Sequence, residues 1–133
     1  MAKKSVKEEK KMNPVGWFEI PVADLKRAKK FYEGAFGYKL QLETMGPLKM
    51  AWFPMHRGAP CAAGSLVHAP GCYTPSLHGT LVYFGVEDIE ATLKKIKKCG
   101  GKELMPRTPI GEHGFIAHFG DCEGNRVAIH AMK

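Results

Sequence analysis

The chain offers six histidines, four cysteines and 13 side-chain carboxylates, and few stand at the spacing a reactive centre needs. Cys61, Cys72, Cys99 and Cys122 form no C-x-x-C pair, which argues against a zinc framework or a redox couple. No H-x-x-x-H occurs, His56, His68 and His113 have no partner at a useful distance in sequence, and His78 reads as a loop histidine before the strand that opens the second round. One carboxylate stands out. Glu19 sits inside the aromatic run W-F-E-I-P at 17–21. In a partly apolar cleft such a group can abstract a proton or anchor a cationic ligand. It can equally pair with Arg126 or His130. His118 and His130 lie in strand-like segments and suit acid/base work or hydrogen bonding. Trp17, Trp52 and Tyr83 can wall a planar or cationic ligand, or simply fill space. Cys72, in the turn-rich A-P-G-C-Y-T-P, has no base nearby in sequence to activate it.

These residues need elements to position them. Residues 15–22 are apolar and aromatic and predict a strand. Asp24 then caps a helix carrying Leu25, Ala28, Phe31, Tyr32 and Ala35 at helical spacing, and Gly37 stops it. Strands are predicted at 38–43, 49–54 and 61–67. A second round follows: a strand at 80–86, a helix capped by Asp88 with Ile89, Leu93 and Ile96 on one face, and a stop at Gly100-Gly101. Strands at 102–105, 115–119 and 126–131 complete it. A shift of 64 residues maps Val22 onto Val86, Asp24 onto Asp88, Gly37 onto Gly101 and Leu40 onto Leu104. The order is β-α-β-β-β, twice. One helix per four strands covers a single sheet face. The uncovered faces of two adjacent sheets then make a half-barrel cleft, the kind of concavity that takes a small molecule. The fold class predicted is α+β, with modules at 14–68 and 78–133 in one domain spanning 14–133.

Composition agrees with one domain. The 133 residues are 44% apolar and 25% charged, as in ordinary globular chains. Of the net charge of +7, +3 lies in residues 1–12, within a tail (1–13) expected to be disordered. Lys94, Lys95, Lys97 and Lys98 share one helix. No arginine-rich, aromatic-interleaved stripe appears, so these charges read as solvated and no nucleic-acid partner is expected. Residues 58–86 contain no charged side chain, but Pro60, Pro70, Pro75 and five glycines interrupt them, so no membrane span is expected. The charged N-terminus is unlike a secretory signal, and reduced thiols in a cytoplasmic protein are the expectation.

The stretch W-F-E-I-P-V-A-D-L-K-R-A-K-K-F-Y-E-G-A-F-G-Y at 17–38 resembles the opening of the vicinal oxygen chelate superfamily, which includes glyoxalase I, extradiol dioxygenases and bleomycin-resistance proteins. The stretch F-G-D-C-E-G-N-R-V-A-I-H at 119–130 resembles its closing signature, with Cys122 in place of a common proline. The resemblance spans about 15–132. It implies paired βαβββ modules, a cleft for a small organic molecule, and homodimerisation. It also implies a divalent metal held by side chains of the first and last strands of each module. Matched residue by residue, those positions hold Trp17, Leu81 and Ala128, and the strand at 61–67 has no His, Asp or Glu. None of these holds a divalent ion, so no metal cofactor is expected. With those positions facing the cleft, strand alternation adds Glu19, Tyr83, Arg126 and His130. Phe18, Ile20, Val82, Phe84, Val127 and Ile129 face the other way. His118 points into the cleft too, because Phe115, Ala117 and Phe119 form the apolar set of its strand. The function expected is a glyoxalase-related small-molecule-binding protein with a degenerate metal site. The alternative is a lyase or isomerase of lactoylglutathione-lyase type that moves a proton with Glu19 and a histidine.

Overall fold

A computed structural model describes residues 12–133. The tail expected to be disordered, 1–13, lies outside the described residues up to position 11. The first module is β1 (Trp17–Pro21), α1 (Leu25–Phe36), β2 (Gln41–Met45), β3 (Leu48–Trp52) and β4 (Ala63–His68). The second is β5 (Tyr83–Gly85), α2 (Ile89–Lys98), β6 (Lys102–Pro109), β7 (Phe115–Gly120) and β8 (Arg126–Ala131). Each module makes a four-stranded sheet, ordered β1-β4-β3-β2 and β5-β8-β7-β6. In each, the first strand pairs parallel with the last and the others pair antiparallel.

The helices form where the caps dictate. Asp24 accepts from the Arg27 amide and Asp88 from the Ala91 amide, satisfying N–H groups that a helix start leaves unpaired. Gly37 ends α1 in the left-handed region at φ 77°. Several strand boundaries move from where the sequence pattern puts them, those of β2, β5 and β6 the most. The second strand begins at Gln41 rather than 38, because the Leu40 amide donates to the Glu33 carboxylate instead of a sheet partner. β5 shortens to three residues. β6 extends to Pro109 through two irregularities of register.

The helices touch each other and cover the convex faces of the two sheets. There the set predicted to face away from the cleft is buried or packed in one core: Ile20, Phe84, Val127 and Ile129, with Phe18 and Val82 beside them. This core is aromatic and crosses the module boundary, with Phe18 and Phe84 rings 5.7 Å apart and Phe36 and Phe84 rings 4.9 Å apart. A Cβ at Gly64 would stand 2.5 Å from the Phe18 carbonyl oxygen, so only glycine lets β1 and β4 approach here.

The closing signature D-C-E-G-N fastens the second module to the first. Asn125 donates to the Pro21 carbonyl at 2.8 Å, and the buried Tyr32 hydroxyl donates to Asp121 at 2.7 Å. Glu123 accepts from the Ala23 and Asp24 amides and from Arg27 Nε at 2.6 Å. No described helix is long and apolar enough to cross a membrane, and all four cysteines are free.

Candidate functional site

The sheet faces turned away from the helices carry the polar and aromatic residues. In the first module Glu19 lies beside Ser65, and Ser65 beside Trp52 on the next strand. In the second, Tyr83 lies beside Ala128, and Ala128 beside His118. The modules are equivalent here. Ile20 pairs with Leu66 as Phe84 pairs with Ile129, so Ser65 occupies the place that Ala128 holds in the second module.

A cavity of about 700 Å³ opens where β1 approaches β5 and β8. Trp17, Glu19, Leu81, Tyr83 and Arg126 line it, together with Thr74 and Ser76 from the segment joining the modules. That segment is pinned from below. The Arg126 amide donates to the Ser76 carbonyl, Arg126 Nε donates to the Leu77 carbonyl, and the Ser76 amide donates to Asn125. Trp17 is 37% exposed and Tyr83 48% exposed, so both rings present surface for a ligand.

Glu19 is half-buried and joins no ion pair among the described residues. The expected structural alternative, a pair with Arg126 or His130, does not form. Arg126 Nη1 instead donates to His118 Nδ1 at 3.0 Å, while His130 Nε2 donates to the His113 carbonyl at 2.6 Å. Both partners, His118 and His113, belong to the second module, whereas Glu19 lies on the first sheet. Glu19 acts on Tyr73, whose phenol it raises above the ordinary value, by hydrogen bonding first and by charge second. Burial lowers the pKa of His118, and the Arg126 charge adds to the effect.

The sequence-predicted residues divide into three groups. Trp17, Glu19, Tyr83 and Arg126 share the large cavity. Trp52 and His118 stand behind it: Trp52 meets Trp17 edge-on at 5.4 Å, and His118 meets Tyr83 edge-on at 6.2 Å. The expected three-ring wall of Trp17, Trp52 and Tyr83 is therefore two aromatic pairs, one on each sheet. His130 falls in a separate hollow of about 480 Å³ with Tyr83, Gly85, Ile110 and Ile116. Sequence reasoning missed Tyr73 and Ser65. Tyr73 lies in a loop with no pattern to read. Ser65 alternates in phase with Ala63 and Val67, but the 64-residue shift maps Ala128 onto Gly64, so its equivalence to Ala128 shows only in the strand register. Ser65 Oγ and Trp52 Nε1, on register partners, are both buried and find no hydrogen-bond partner among the described residues.

The three positions where the resemblance places metal ligands hold Trp17, Leu81 and Ala128, and the β4 residue equivalent to Ala128 in strand register is Ser65. A lone hydroxyl among an indole, a leucine and an alanine does not fit a divalent ion, which needs several oxygen or imidazole donors. No group of three or more His, Cys, Asp or Glu side chains converges on a common point among the described residues. His68, the one such residue on β4, directs Nδ1 to the Val22 carbonyl at 3.2 Å.

Comparison with known proteins agrees with this architecture. The family model described as Glyoxalase/Bleomycin resistance protein/Dioxygenase superfamily matches residues 14–129. A glyoxylase-like domain-containing protein of Didymella fabae is 31% identical over 127 residues, covering 86% of this chain and 91% of that protein. Glyoxalase I of Zea mays superposes with a TM-score of 0.64 at 25% identity, covering 90% of this chain and 46% of the enzyme. The chain thus spans about half the length of the maize protein. A glyoxylase/bleomycin resistance protein/dioxygenase domain from Frankia superposes with a TM-score of 0.71 at 17% identity over 92% of this chain and all of that domain.

Proposed function

The chain belongs to the Glyoxalase/Bleomycin resistance protein/Dioxygenase superfamily, and from that premise we propose that it is a metal-independent small-molecule-binding member. Its ligand is a planar organic molecule with a cationic or hydrogen-bond-donating group. The observation that carries this reading is Glu19, a carboxylate without an ion-pair partner among the described residues, in a 700 Å³ cavity walled by Trp17 and Tyr83. Trp17 and Tyr83 offer stacking surface, and Glu19 offers the counter-charge. The buried Trp52 N–H and Ser65 hydroxyl add unused hydrogen-bonding capacity on the same face. The family's metal position is degenerate in this reading, because its donors are missing. Two copies of the chain match the length of the maize enzyme, which favours a homodimer as the working unit.

A proton-transfer enzyme would need Glu19 and a histidine on one substrate. No histidine lines the cavity that holds Glu19, which favours binding over catalysis. The test pairs elemental analysis of chelator-free, untagged protein with tryptophan-fluorescence titration against a panel of planar organic cations. The expected result is no stoichiometric metal, and saturable quenching by at least one cation that Glu19→Gln weakens about tenfold. One divalent ion per chain, or quenching that Glu19→Gln leaves unchanged, would overturn the reading.

A further inference from the structure

A second cavity, of about 720 Å³, lies on the opposite side of the molecule, between α1 and α2. Its floor is Phe31, Gly34, Cys99 and Cys122. Its rim is four cations, Arg27 and Lys30 from α1 and Lys95 and Lys98 from α2. No carboxylate lines it. Arg27 is already neutralised by Glu123 at 2.6 Å. The flanking lysines are neutralised too, Lys29 by Glu33 at 3.1 Å and Lys97 by Glu103 at 3.0 Å. Lys30, Lys95 and Lys98 join no ion pair among the described residues. Two elements, one from each module, therefore bring three unmatched ammonium groups around an apolar trough. Like charges gathered at a concave, partly apolar surface raise the local concentration of anions.

We infer that this groove is a binding site for an amphiphilic organic anion, separate from the concave sheet face. The apolar body lies along Gly34, Cys99 and Cys122, and a carboxylate, phosphate or sulfate head group sits among Lys30, Lys95 and Lys98. The floor explains why the anion is amphiphilic, since a simple inorganic ion would leave the trough uncovered. It also argues against nucleic acid, because the cations ring a hollow rather than follow a stripe, and the one aromatic ring present, Phe31, is buried. Gly34 lets the two helices close on each other beneath the groove: a Cβ there would stand 2.7 Å from Cys99 Sγ.

The experiment is titration of the full chain with dodecyl phosphate below its micellar concentration, followed by amide chemical shifts. The expected result is saturable shifts centred on 27–34 and 95–99, with affinity lowered at least tenfold in Lys30→Glu/Lys98→Glu and unchanged in Trp17→Ala. Dodecanol should bind at least tenfold more weakly, and inorganic phosphate should not saturate. The neutral pair Lys30→Gln/Lys98→Gln, with thermal midpoints recorded for both variants, separates lost charge from lost folding. The inference is overturned by shifts centred on Trp17 and Tyr83, by equal affinity in both double variants and the parent, or by saturation with inorganic phosphate alone. Co-sedimentation with anionic phospholipid vesicles that the double variants abolish would reassign the groove to a membrane surface and overturn the free ligand.

Discussion

Arg126 Nη1 donates to Nδ1 of His118 at 3.0 Å, and this contact fixes the imidazole's tautomer. A guanidinium only donates, so Nδ1 carries the lone pair and the proton sits on Nε2. Arg126 thereby turns to its own sheet and leaves Glu19 without an ion-pair partner among the described residues.

Protonating His118 would set a second donor against the guanidinium in a half-buried site. Burial first, and Arg126 second, hold its pKa below 6.5. The unfolded chain takes up this proton near 6.5, so the contribution to stability is complete above that pH. It is lost as pH falls from 6.5 through the lower native value. Ring proton shifts followed by NMR should show His118 titrating below 6.5 and moving only part of the way back in Arg126→Gln, because burial remains. An unmoved pKa in the variant would assign the shift to burial alone.

Tyr73 provides a second titration. Glu19 raises its phenol above the ordinary value, so Glu19→Gln should move one tyrosine of four to lower pH in an ultraviolet titration. Identical curves for parent and variant would separate Tyr73 from Glu19 in solution.

Glu123 ties the closing turn of the second module to the start of α1. Burial alone would raise its pKa, but the Arg27 bond and the Asp24 and Ala23 amides outweigh it and hold it lowered. The clamp is complete above the ordinary carboxylate value and is lost as pH falls through the lower native one. Glu123→Ala removes charge-assisted hydrogen bonds to two amides and should cost about 1–3 kcal/mol in denaturant unfolding. A variant as stable as the parent, with the same acid-side slope, would show that the clamp contributes nothing.

The four thiols should react in a set order. Cys61 and Cys72 are exposed. Burial first, then the Glu123 and Asp121 charges, push Cys122 up to about 12. With iodoacetamide near pH 8, peptide mass spectrometry should find Cys61 and Cys72 modified first and Cys122 last. Modification of Cys122 at the rate of Cys61 would mean that the closing turn opens.

Some of this was legible in the residues alone. Asp24 and Asp88 cap their helices, and Ile20, Phe84, Val127 and Ile129 bury, because caps and alternation are local rules that hold wherever the element lies. The 64-residue repeat carried the order of elements for the same reason. Alternation also placed Trp17, Glu19, Tyr83 and Arg126 on one side. It could not choose Arg126's partner, since His118, Glu19 and His130 all lay on that side, and a choice among them depends on distances between strands far apart in the chain. The start of β2 slipped because one side chain, Glu33, took the Leu40 amide. Tyr73, in the segment joining the modules, meets Glu19 only in the folded chain, and Lys30 joins Lys95 and Lys98 only once the two modules are packed together. Periodicity fixes which face a residue occupies; tertiary packing decides what it meets there, because hydrogen bonds and charges act over a few ångströms of space rather than along the chain.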